Sequence, residues 1–305
     1  MKKANLFLLS LLLVFITGCS MEPPEWAKPK LSGDVKDLKI GLSVSTLNNP
    51  FFVSLKDGVV EEAAKQGMEV IVVDAQNDSA KQSNDVDDLI QQGVHVLLIN
   101  PTDSAAISTV VQTANSIGIP VITLDRSADQ GEVEALVASD NVKGGQMAAE
   151  HIVKELGKNT KVIELEGVPG ASATRERGQG FHDVADLELD VVAKQAADFD
   201  RTKGLNVMEN LLQGNPDVKA VFAHNDEMAL GAIEAIQSSG KDIMVIGFDG
   251  NDDALKSIEA GKLTATVAQQ PELIGQLAVQ AAVDVTSGKE VEEVIPAPLK
   301  LVIKE

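Results

Sequence analysis

Short apolar runs that stop at a hydrogen-bonding residue, each followed by a helix-forming segment, recur along the whole chain. Residues 121–124 illustrate the pattern, because four residues with strand character end at Asp125. The same succession of an apolar run, a polar residue and a helix-forming segment occurs in both halves of the chain. The runs, with the polar residues that follow them, are 39–45 (Asn48 and Asn49), 70–73 (Asp74), 94–99 (Asn100), 121–124 (Asp125), 162–165 (Glu166), 220–223 (Asn225), 244–248 (Asp249) and 263–268 (Gln269).

Continuous apolar strands that alternate with helices are typical of parallel sheets covered by helices on both faces. The pattern therefore predicts an α/β fold with doubly wound parallel sheets. In open sheets of this kind, ligands bind beyond the carboxyl ends of the strands. The Asn, Asp and Gln residues that follow the runs are thus expected to line a small-molecule site.

Helix start and stop signals support this alternation. Asn49 is expected to cap the first helix, Pro50 to be its first residue and Gly67 to end it. A glycine follows each of the other predicted helices as well. The predicted helices span 51–66, 79–92, 104–117, 226–239 and 271–287.

The first 18 residues have the features of a signal peptide. Lys2 and Lys3 precede an apolar stretch, residues 6–16, that is shorter than the ~20 residues a membrane-spanning helix needs. Residues 16–19, ITGC, resemble the lipobox of bacterial lipoproteins, in which cleavage before the cysteine leaves a diacylglycerol on its sulfur. An ordinary signal peptide with a chance cysteine is the alternative. Cys19 is the only cysteine of the chain and is the predicted lipid attachment site.

Removal of residues 1–18 leaves 287 residues, which is enough for two α/β lobes. The formal net charge is then −22, because two lysines leave while all 46 acidic residues stay. Such a surface repels nucleic acid and anionic membrane, since neutralising phosphates needs clustered basic residues. Residues 19–36 contain three prolines and no apolar periodicity, so they are predicted to be a tether between a lipid anchor and the folded part.

The placement of phenylalanine indicates a sugar ligand. The C–H faces of a sugar ring pack on aromatic rings, and its hydroxyl groups need donors and acceptors such as Asn, Asp and Arg. The mature chain has six Phe and no Tyr. Four of the six, which are Phe51, Phe52, Phe199 and Phe248, are expected at strand ends or in loops rather than inside strands. The alternative is that Phe51 and Phe52 form the buried face of the first helix.

Nine motifs extend over the chain from about residue 38 to its end. They are STLNNPFF (45–52), LLINPTDS (97–104), PVITLDR (120–126), ASDNV (138–142), RERGQGF (175–181), ADFDR (197–201), NDEMALGA (225–232), GFDG (247–250) and ATVAQQP (265–271). Together they resemble the sugar-binding proteins of bacterial ABC importers, of the ribose-binding type. That periplasmic-binding-protein fold is related to the effector domains of the lactose-repressor family.

The resemblance implies the sugar contacts residue by residue. The residues expected to hydrogen-bond to the sugar are Asn49, Asp125, Arg126, Arg177, Asn225, Asp249 and Gln269. The sugar ring is expected to lie between Phe51, Phe52 and Phe199. The other residues expected to line the cleft are Ser45, Asn100, Ser139, Val168 and Phe248. Two acids and two bases sum to zero, which suits a neutral ligand such as D-ribose or a related monosaccharide. Val168 stands where the family has Ile, and His224 replaces the usual neighbour of Asn225.

The resemblance also implies two lobes joined by a hinge of several strands, with residues 37–139 and 270–296 in one lobe and 140–269 and 297–305 in the other. A ligand held by both lobes favours their closed state. The implied function is capture of D-ribose or a close pentose outside the cytoplasm and delivery to the membrane subunits of an ABC permease, by a monomer that is not an enzyme. The alternative is a sensor of a sugar or furanosyl signal that feeds a chemoreceptor or another signalling partner.

Other function classes lack their motifs. Residues 1–36 do not offer the helix-turn-helix module of a sugar-responsive repressor. GASAT (170–174) lacks the last glycine of a nucleophile elbow, and GQG (178–180) does not continue into a dinucleotide-binding motif, so no catalytic residue is predicted. A hydrolase could use Asp125 and Asp249 as its carboxylate pair, with one of them as a general acid of raised pKa. Arg126, which follows Asp125, argues against this, because an adjacent positive charge lowers the pKa of a carboxyl group. The four histidines are expected at the surface or in loops, and neither a metal nor a cofactor is predicted.

We expect membrane attachment to depend on Cys19, because only its thiol can take the diacylglycerol. A single acyl chain gives marginal membrane binding, whereas two or more hold a protein stably. The Cys19→Ala variant should therefore stay unprocessed or leave the membrane fraction. Mass spectrometry and membrane fractionation check this, and a variant that matches the wild type in both would contradict the lipobox.

Overall fold

The computed structural model describes residues 34–304, which form two α/β lobes. The predicted signal peptide, Cys19 and the predicted tether up to residue 33 lie outside the described residues. Asp34 caps one turn of 3-10 helix, Val35–Asp37, by accepting a hydrogen bond from the amide of Lys36. The first strand begins directly afterwards.

Strands and helices alternate through both lobes. The strands are β1 (Lys39–Val44), β2 (Glu69–Asp74), β3 (Val96–Ile99), β4 (Val121–Leu124), β5 (Ala135–Ser139), β6 (Thr160–Glu166), β7 (Leu189–Ala196), β8 (Ala220–Ala223), β9 (Met244–Asp249), β10 (Ala265–Ala268), β11 (Val294–Ala297) and β12 (Lys300–Ile303). The helices are α1 (Pro50–Lys65), α2 (Ser79–Gln91), α3 (Ser108–Ser116), α4 (Asn141–Leu156), α5 (Ser172–Glu188), α6 (Arg201–Gly214), α7 (Asp226–Ser239), α8 (Asp252–Glu259) and α9 (Pro271–Thr286).

Each lobe is built on a six-stranded sheet. The strand order is β11-β5-β4-β3-β1-β2 in the first lobe and β12-β10-β9-β8-β6-β7 in the second. Every pair in the described sheets is parallel except β10 with β12, which is antiparallel. The prediction of parallel sheets therefore fails at the last strand. β11 ends at the cleft, and only residues 298–299 separate it from β12, so β12 enters the second sheet at the edge where β10 ends and runs in the opposite direction.

Both faces of each sheet are covered by apolar clusters. Neighbouring side chains on one strand enter different clusters, as Leu97 and Leu98 do in the first lobe and Val162 and Ile163 do in the second. Successive side chains of a strand point to opposite faces. Burial on both faces thus explains why these strands read as continuous apolar runs in the sequence.

The predicted helices are present, with one shifted start. Helix α3 begins at Ser108 rather than Ser104. The side chain of Asp103 accepts hydrogen bonds from the amides of Ala105 and Ala106, which holds a turn before the helix. The amide of Ser104 donates to the carbonyl of Gly170 in the other lobe, at 3.0 Å, so this segment serves a contact between the lobes instead of extending the helix.

The chain passes between the lobes three times, after β5, after β10 and after β11. Residues that follow the strands of the two sheets meet between the lobes. Asp125, after β4, comes within 3.9 Å of Arg177 on α5 of the second lobe. No helix of the described part of the chain is long and apolar enough to cross a membrane.

Candidate functional site

A cavity lies in the cleft between the two lobes, where the carboxyl ends of several strands meet. Helix α1 contributes its first turn from one side, and helix α5 contributes from the other. Nine of the predicted sugar contacts line this cavity, together with Ala173. The nine are Asn49, Phe51, Phe52, Asp125, Arg126, Arg177, Phe199, Asn225 and Asp249.

Four charged side chains from both lobes form the centre of the cleft. Arg177 lies between two carboxylates, with its Nη2 3.9 Å from Asp125 Oδ1 and its Nη1 3.7 Å from Asp249 Oδ1. The Nε of Arg126 is 3.5 Å from Asp125 Oδ2. All four residues are at most 4% exposed. Their charges sum to zero, so the cleft as a whole favours a ligand without net charge.

The two guanidinium groups are held by backbone carbonyls and aromatic rings. Arg126 donates to the carbonyl of Pro101 at 3.0 Å, and its guanidinium carbon lies 5.0 Å from the ring centre of Phe52 and 5.1 Å from that of Phe199. An arginine over an aromatic face is attracted by the ring quadrupole. Arg126 thus packs against one ring from each lobe.

Arg177 is fixed more tightly than Arg126. Its Nε donates to Asn141 Oδ1 at 2.8 Å, and its Nη1 donates to the carbonyl of His224 at 2.6 Å. Its guanidinium carbon lies 3.8 Å from the ring centre of Phe248. These contacts orient the guanidinium toward the cavity before any ligand arrives.

Burial shifts the pKa values in the cleft. It raises the pKa of Asp125, although the charges of Arg177 and Arg126 lower it in part. Burial also raises the pKa of Asp249 well above its ordinary value, with Arg177 again acting in the opposite direction. The pKa of Arg126 is lowered by burial to about 10. Closing the cleft around these charges therefore costs free energy that hydrogen bonds from a ligand can offset.

Several buried polar atoms around the cleft have no hydrogen-bond partner among residues 34–304. They include Ser45 Oγ, Asp125 Oδ1, Arg126 Nε, Ser139 Oγ and Gln269 Oε1. A buried polar group left without a partner costs about 1–3 kcal/mol. A ligand with several hydroxyl groups could supply both donors and acceptors to such atoms, and an apolar ligand could not.

The two phenylalanines of helix α1 lie on its buried face and also line the cavity, so both alternatives considered for them apply. Phe51 and Phe52 pack edge to face, with ring centres 5.2 Å apart, and both belong to the core of the first lobe. Both also line the cavity. Phe199 reaches the cleft from the second lobe over Gly167, where a Cβ atom would lie 2.0 Å from its Cζ, so a side chain at that position would displace the ring.

Three of the seven non-glycine residues with positive φ among residues 34–304 belong to the site. Asp125, Phe199 and Asp249 have φ angles of 62°, 59° and 120°. Residues other than glycine rarely adopt positive φ, and strain of this kind persists where the surrounding structure enforces it, often at functional sites. All three of these residues line the cavity.

Six predicted residues do not line this cavity. Two of them, Ser45 and Val168, are respectively buried at the end of β1 and packed against an apolar cluster of the second lobe. Asn100 is fully buried and uses its amide to accept from Ser45 N and to donate to the carbonyl of Leu124, which joins the ends of neighbouring strands. Gln269 donates to Asp249 Oδ1 at 3.0 Å. Ser139 ends β5 and is buried. Phe248 supports Arg177 and, contrary to the expectation, lies inside strand β9, because that strand runs one residue beyond the apolar run.

A buried carboxylate that the sequence did not single out supports the loop of Asp249. Asp226 Oδ2 accepts hydrogen bonds at 2.8 Å from the amides of both Gly250 and Asn251, and its Oδ1 accepts from the hydroxyl of Thr266 at 2.7 Å. The amide of Asn251 is therefore satisfied by Asp226 and not by Asp249. This excludes Asp249 as the cap of helix α8 and leaves its carboxylate directed at the cleft.

The expectation that the histidines lie at the surface or in loops is wrong for His151, which is buried in helix α4, whereas His224 lies in the loop between β8 and α7. His151 and His224 are buried, and His182 and His224 both hydrogen-bond to Glu164, at 2.9 Å each. The other ring nitrogen of His182 lies 2.7 Å from Asp186. Sequence spacing missed this cluster because its members come from three different elements. Within residues 34–304, no group of three or more His, Cys, Asp or Glu side chains has the arrangement of a metal site.

Two α/β lobes that enclose a buried polar cleft, with the chain crossing between them three times, define a two-lobed solute-binding protein. Residues 40–290 match the family model described as a periplasmic binding protein domain. The chain belongs to this family.

Its relatives are named as binding proteins rather than enzymes. The chain is 71% identical, over 99% of its length and 99% of the relative's, to the ribose import binding protein RbsB of Bacillus subtilis (strain 168). It is 56% identical to the protein of the same name from Escherichia coli (strain K12), over 87% of this chain and 90% of that one. The crystal structure of a Caulobacter myo-inositol binding protein bound to myo-inositol superposes with a TM-score of 0.84 at 33% identity, covering 89% of this chain and 94% of that chain.

Replacing Asp249 tests its place in the site. If its carboxylate accepts hydrogen bonds from sugar hydroxyls, Asp249→Ala should lose about 1.5–3 kcal/mol of binding for each bond, roughly tenfold to more than a hundredfold in Kd. The ligand-free variant should still fold and melt cooperatively, since Asp249 belongs to none of the apolar core clusters. Calorimetric titration and thermal melting measure the two quantities.

Asp226→Asn is the matched control, because it changes the neighbouring buried carboxylate that supports the loop. We expect a lower melting temperature from the weakened hydrogen bonds to the loop amides. An unchanged Kd together with a lowered melting temperature for Asp249→Ala would contradict the assigned role of Asp249.

The melting temperature as a function of pH, between about pH 6 and pH 10, tests whether His182 is charged. Its hydrogen bond to Glu164 raises the pKa of His182 to about 9, so its stabilising effect is complete below the ordinary value of 6.5 and is lost as the pH rises through about 9. His182→Gln keeps a hydrogen-bond donor without the charge. The variant should be less stable than the wild type near pH 6, and the difference in melting temperature should shrink by about pH 10. A difference independent of pH would show that this imidazole is uncharged.

Proposed function

We propose that this protein captures D-ribose, or a close pentose, outside the cytoplasm and delivers it to an ABC permease. The observation that carries the proposal is the charge-balanced cleft between the lobes, in which nine predicted sugar contacts meet. It is supported by the 71% identity to a ribose import binding protein over nearly the whole chain.

The chemistry of the cleft suits a small neutral polyol. Asp125 and Asp249 can accept from adjacent hydroxyl groups, and Arg126 and Arg177 can donate from fixed positions. Asn225 caps helix α7 by accepting from the amide of Met228, and it also lines the cavity. The rings of Phe52 and Phe199 offer apolar faces to the C–H groups of the sugar.

Contacts between the lobes beside the cavity support closure on the ligand. Ser172 is central to them, since its amide donates to Ser104 Oγ at 3.1 Å and its Oγ accepts from the amide of Ser127 at 2.9 Å. Farther out, Arg175 forms an ion pair of 2.7 Å with Asp129. These bonds join one lobe to the other, so they form only when the lobes approach. A ligand that contacts both lobes shifts the equilibrium toward this state.

The proposal includes attachment to the cell membrane through a diacylglycerol on Cys19. The Pro-containing segment that follows would keep the lobes near the permease without embedding them in the bilayer. No helix within residues 34–304 could itself cross a membrane. The closed form, with both lobes at a fixed relative position, is the signal that the permease would recognise.

A thermal-shift panel of pentoses, hexoses and cyclitols tests the proposed ligand. A ligand that binds only the native state stabilises it by RT ln(1 + [L]/Kd), about 2.7 kcal/mol at a hundred times Kd. We expect D-ribose to give the largest shift. A clearly larger shift with a hexose, a cyclitol or a furanosyl signal compound would contradict the assignment of ribose and leave the solute-binding class intact.

A further inference from the structure

Glu164 is a buried carboxylate outside the sugar cavity. It lies on strand β6, is 0% exposed, and is not among the residues that line the cavity. Its two oxygens take different partners. Oε1 accepts from Nε2 of His224, and Oε2 accepts from Nε2 of His182, each at 2.9 Å. His224 directly precedes Asn225, a proposed sugar contact, in the sequence. His182 is partly exposed on helix α5.

The side chain of His224 depends on Glu164 for its only hydrogen bond among the described residues. Its Nδ1 is buried without a partner. The ring packs beside Phe222, with centres 5.2 Å apart, and lies near Gly178, where an added Cβ would be 3.5 Å from its Cε1. The packing confines the ring, and the carboxylate fixes its rotation.

The backbone of the same residue is part of the sugar site. The carbonyl of His224 accepts from Arg177 Nη1 at 2.6 Å, and Asn225, the next residue, lines the cavity. The side-chain amide of Asn225 donates to the carbonyl of Phe199 at 3.2 Å. Residues 224 and 225 thus hydrogen-bond to two of the proposed sugar contacts, Arg177 and Phe199, and Asn225 is itself a third.

We propose that the Glu164–His224 pair is a positioning device for the sugar site, which sets affinity by holding residues 224 and 225 against Arg177 and Phe199 without touching the sugar. Arg177 is the only arginine of the site from the second lobe, and its position relative to both carboxylates depends on where that carbonyl lies. A displacement of the loop would move its guanidinium and Asn225 together. The inference rests on the proposed function of the cleft.

A purely structural role makes a different prediction. The amide of His224 already donates to the carbonyl of Leu165 at 2.9 Å, and this bond alone could fix the loop. The Glu164–His224 contact would then affect stability and leave affinity unchanged. His182 provides the matched control, because it binds the same carboxylate and its hydrogen bonds, to Glu164 and Asp186, include no proposed sugar contact.

The test compares His224→Leu, His224→Gln and His182→Gln with the wild type, by titration calorimetry with D-ribose and by melting of the ligand-free proteins. We expect His224→Leu to raise Kd by about tenfold, the effect of losing one well-placed charged hydrogen bond. His224→Gln should restore most of the affinity, since its amide can donate to Glu164. His182→Gln should lower the melting temperature with less than about a twofold change in Kd.

His224→Leu leaves a buried carboxylate short of a partner and can impair folding. Glu164→Gln combined with His224→Leu removes that charge, and we expect the same loss of affinity from it. An unchanged Kd in this folded double variant, or equal changes in Kd for the His224 and His182 variants, would overturn the inference. A wild-type protein that does not bind D-ribose would contradict the proposed ligand instead, and the titrations are then made with the sugar that gives the largest thermal shift.

Discussion

Two buried carboxylates and two buried guanidinium groups neutralise one another between the lobes, and the arrangement of the site follows from that balance. Asp125 and Arg126 come from the first lobe, and Arg177 and Asp249 come from the second. Buried charges are tolerated only when they are paired and hydrogen-bonded. Each lobe alone would expose its charges to water, whereas the closed cleft removes them from it. Closure is therefore favourable when a ligand supplies further hydrogen bonds.

The fold provides this balance through its strand ends and one helix. Parallel strands deliver Asp125 and Asp249 to the same cleft with strained backbones, and helix α5 brings Arg177 across from the second lobe. Behind these groups, Asn141, Asp226 and Glu164 fix loops and side chains by buried hydrogen bonds. A second layer of this kind is what keeps polar groups within bonding distance of a small ligand.

The strand ends of the site could be predicted from the sequence because each buried strand reads as an apolar run with a sharp polar end. Arg177 gave no such signal, since it lies inside a helix, and only the resemblance to a family indicated it. The roles of Asp226 and Glu164 could not be predicted, because their partners, such as Thr266 and His224, are distant in the chain. The antiparallel direction of β12 also escaped prediction, since periodicity does not encode strand direction.

The central claim is that a charge-balanced cleft selects a neutral sugar, and competitive titration of D-ribose against D-ribose 5-phosphate tests it most directly. The account predicts tight binding of D-ribose and binding of the phosphate weaker by at least about a hundredfold, because a dianion would add unpaired charge to a buried neutral site. Equal or tighter binding of the phosphate would contradict the account, since it would show that the two arginines are not committed to the two carboxylates.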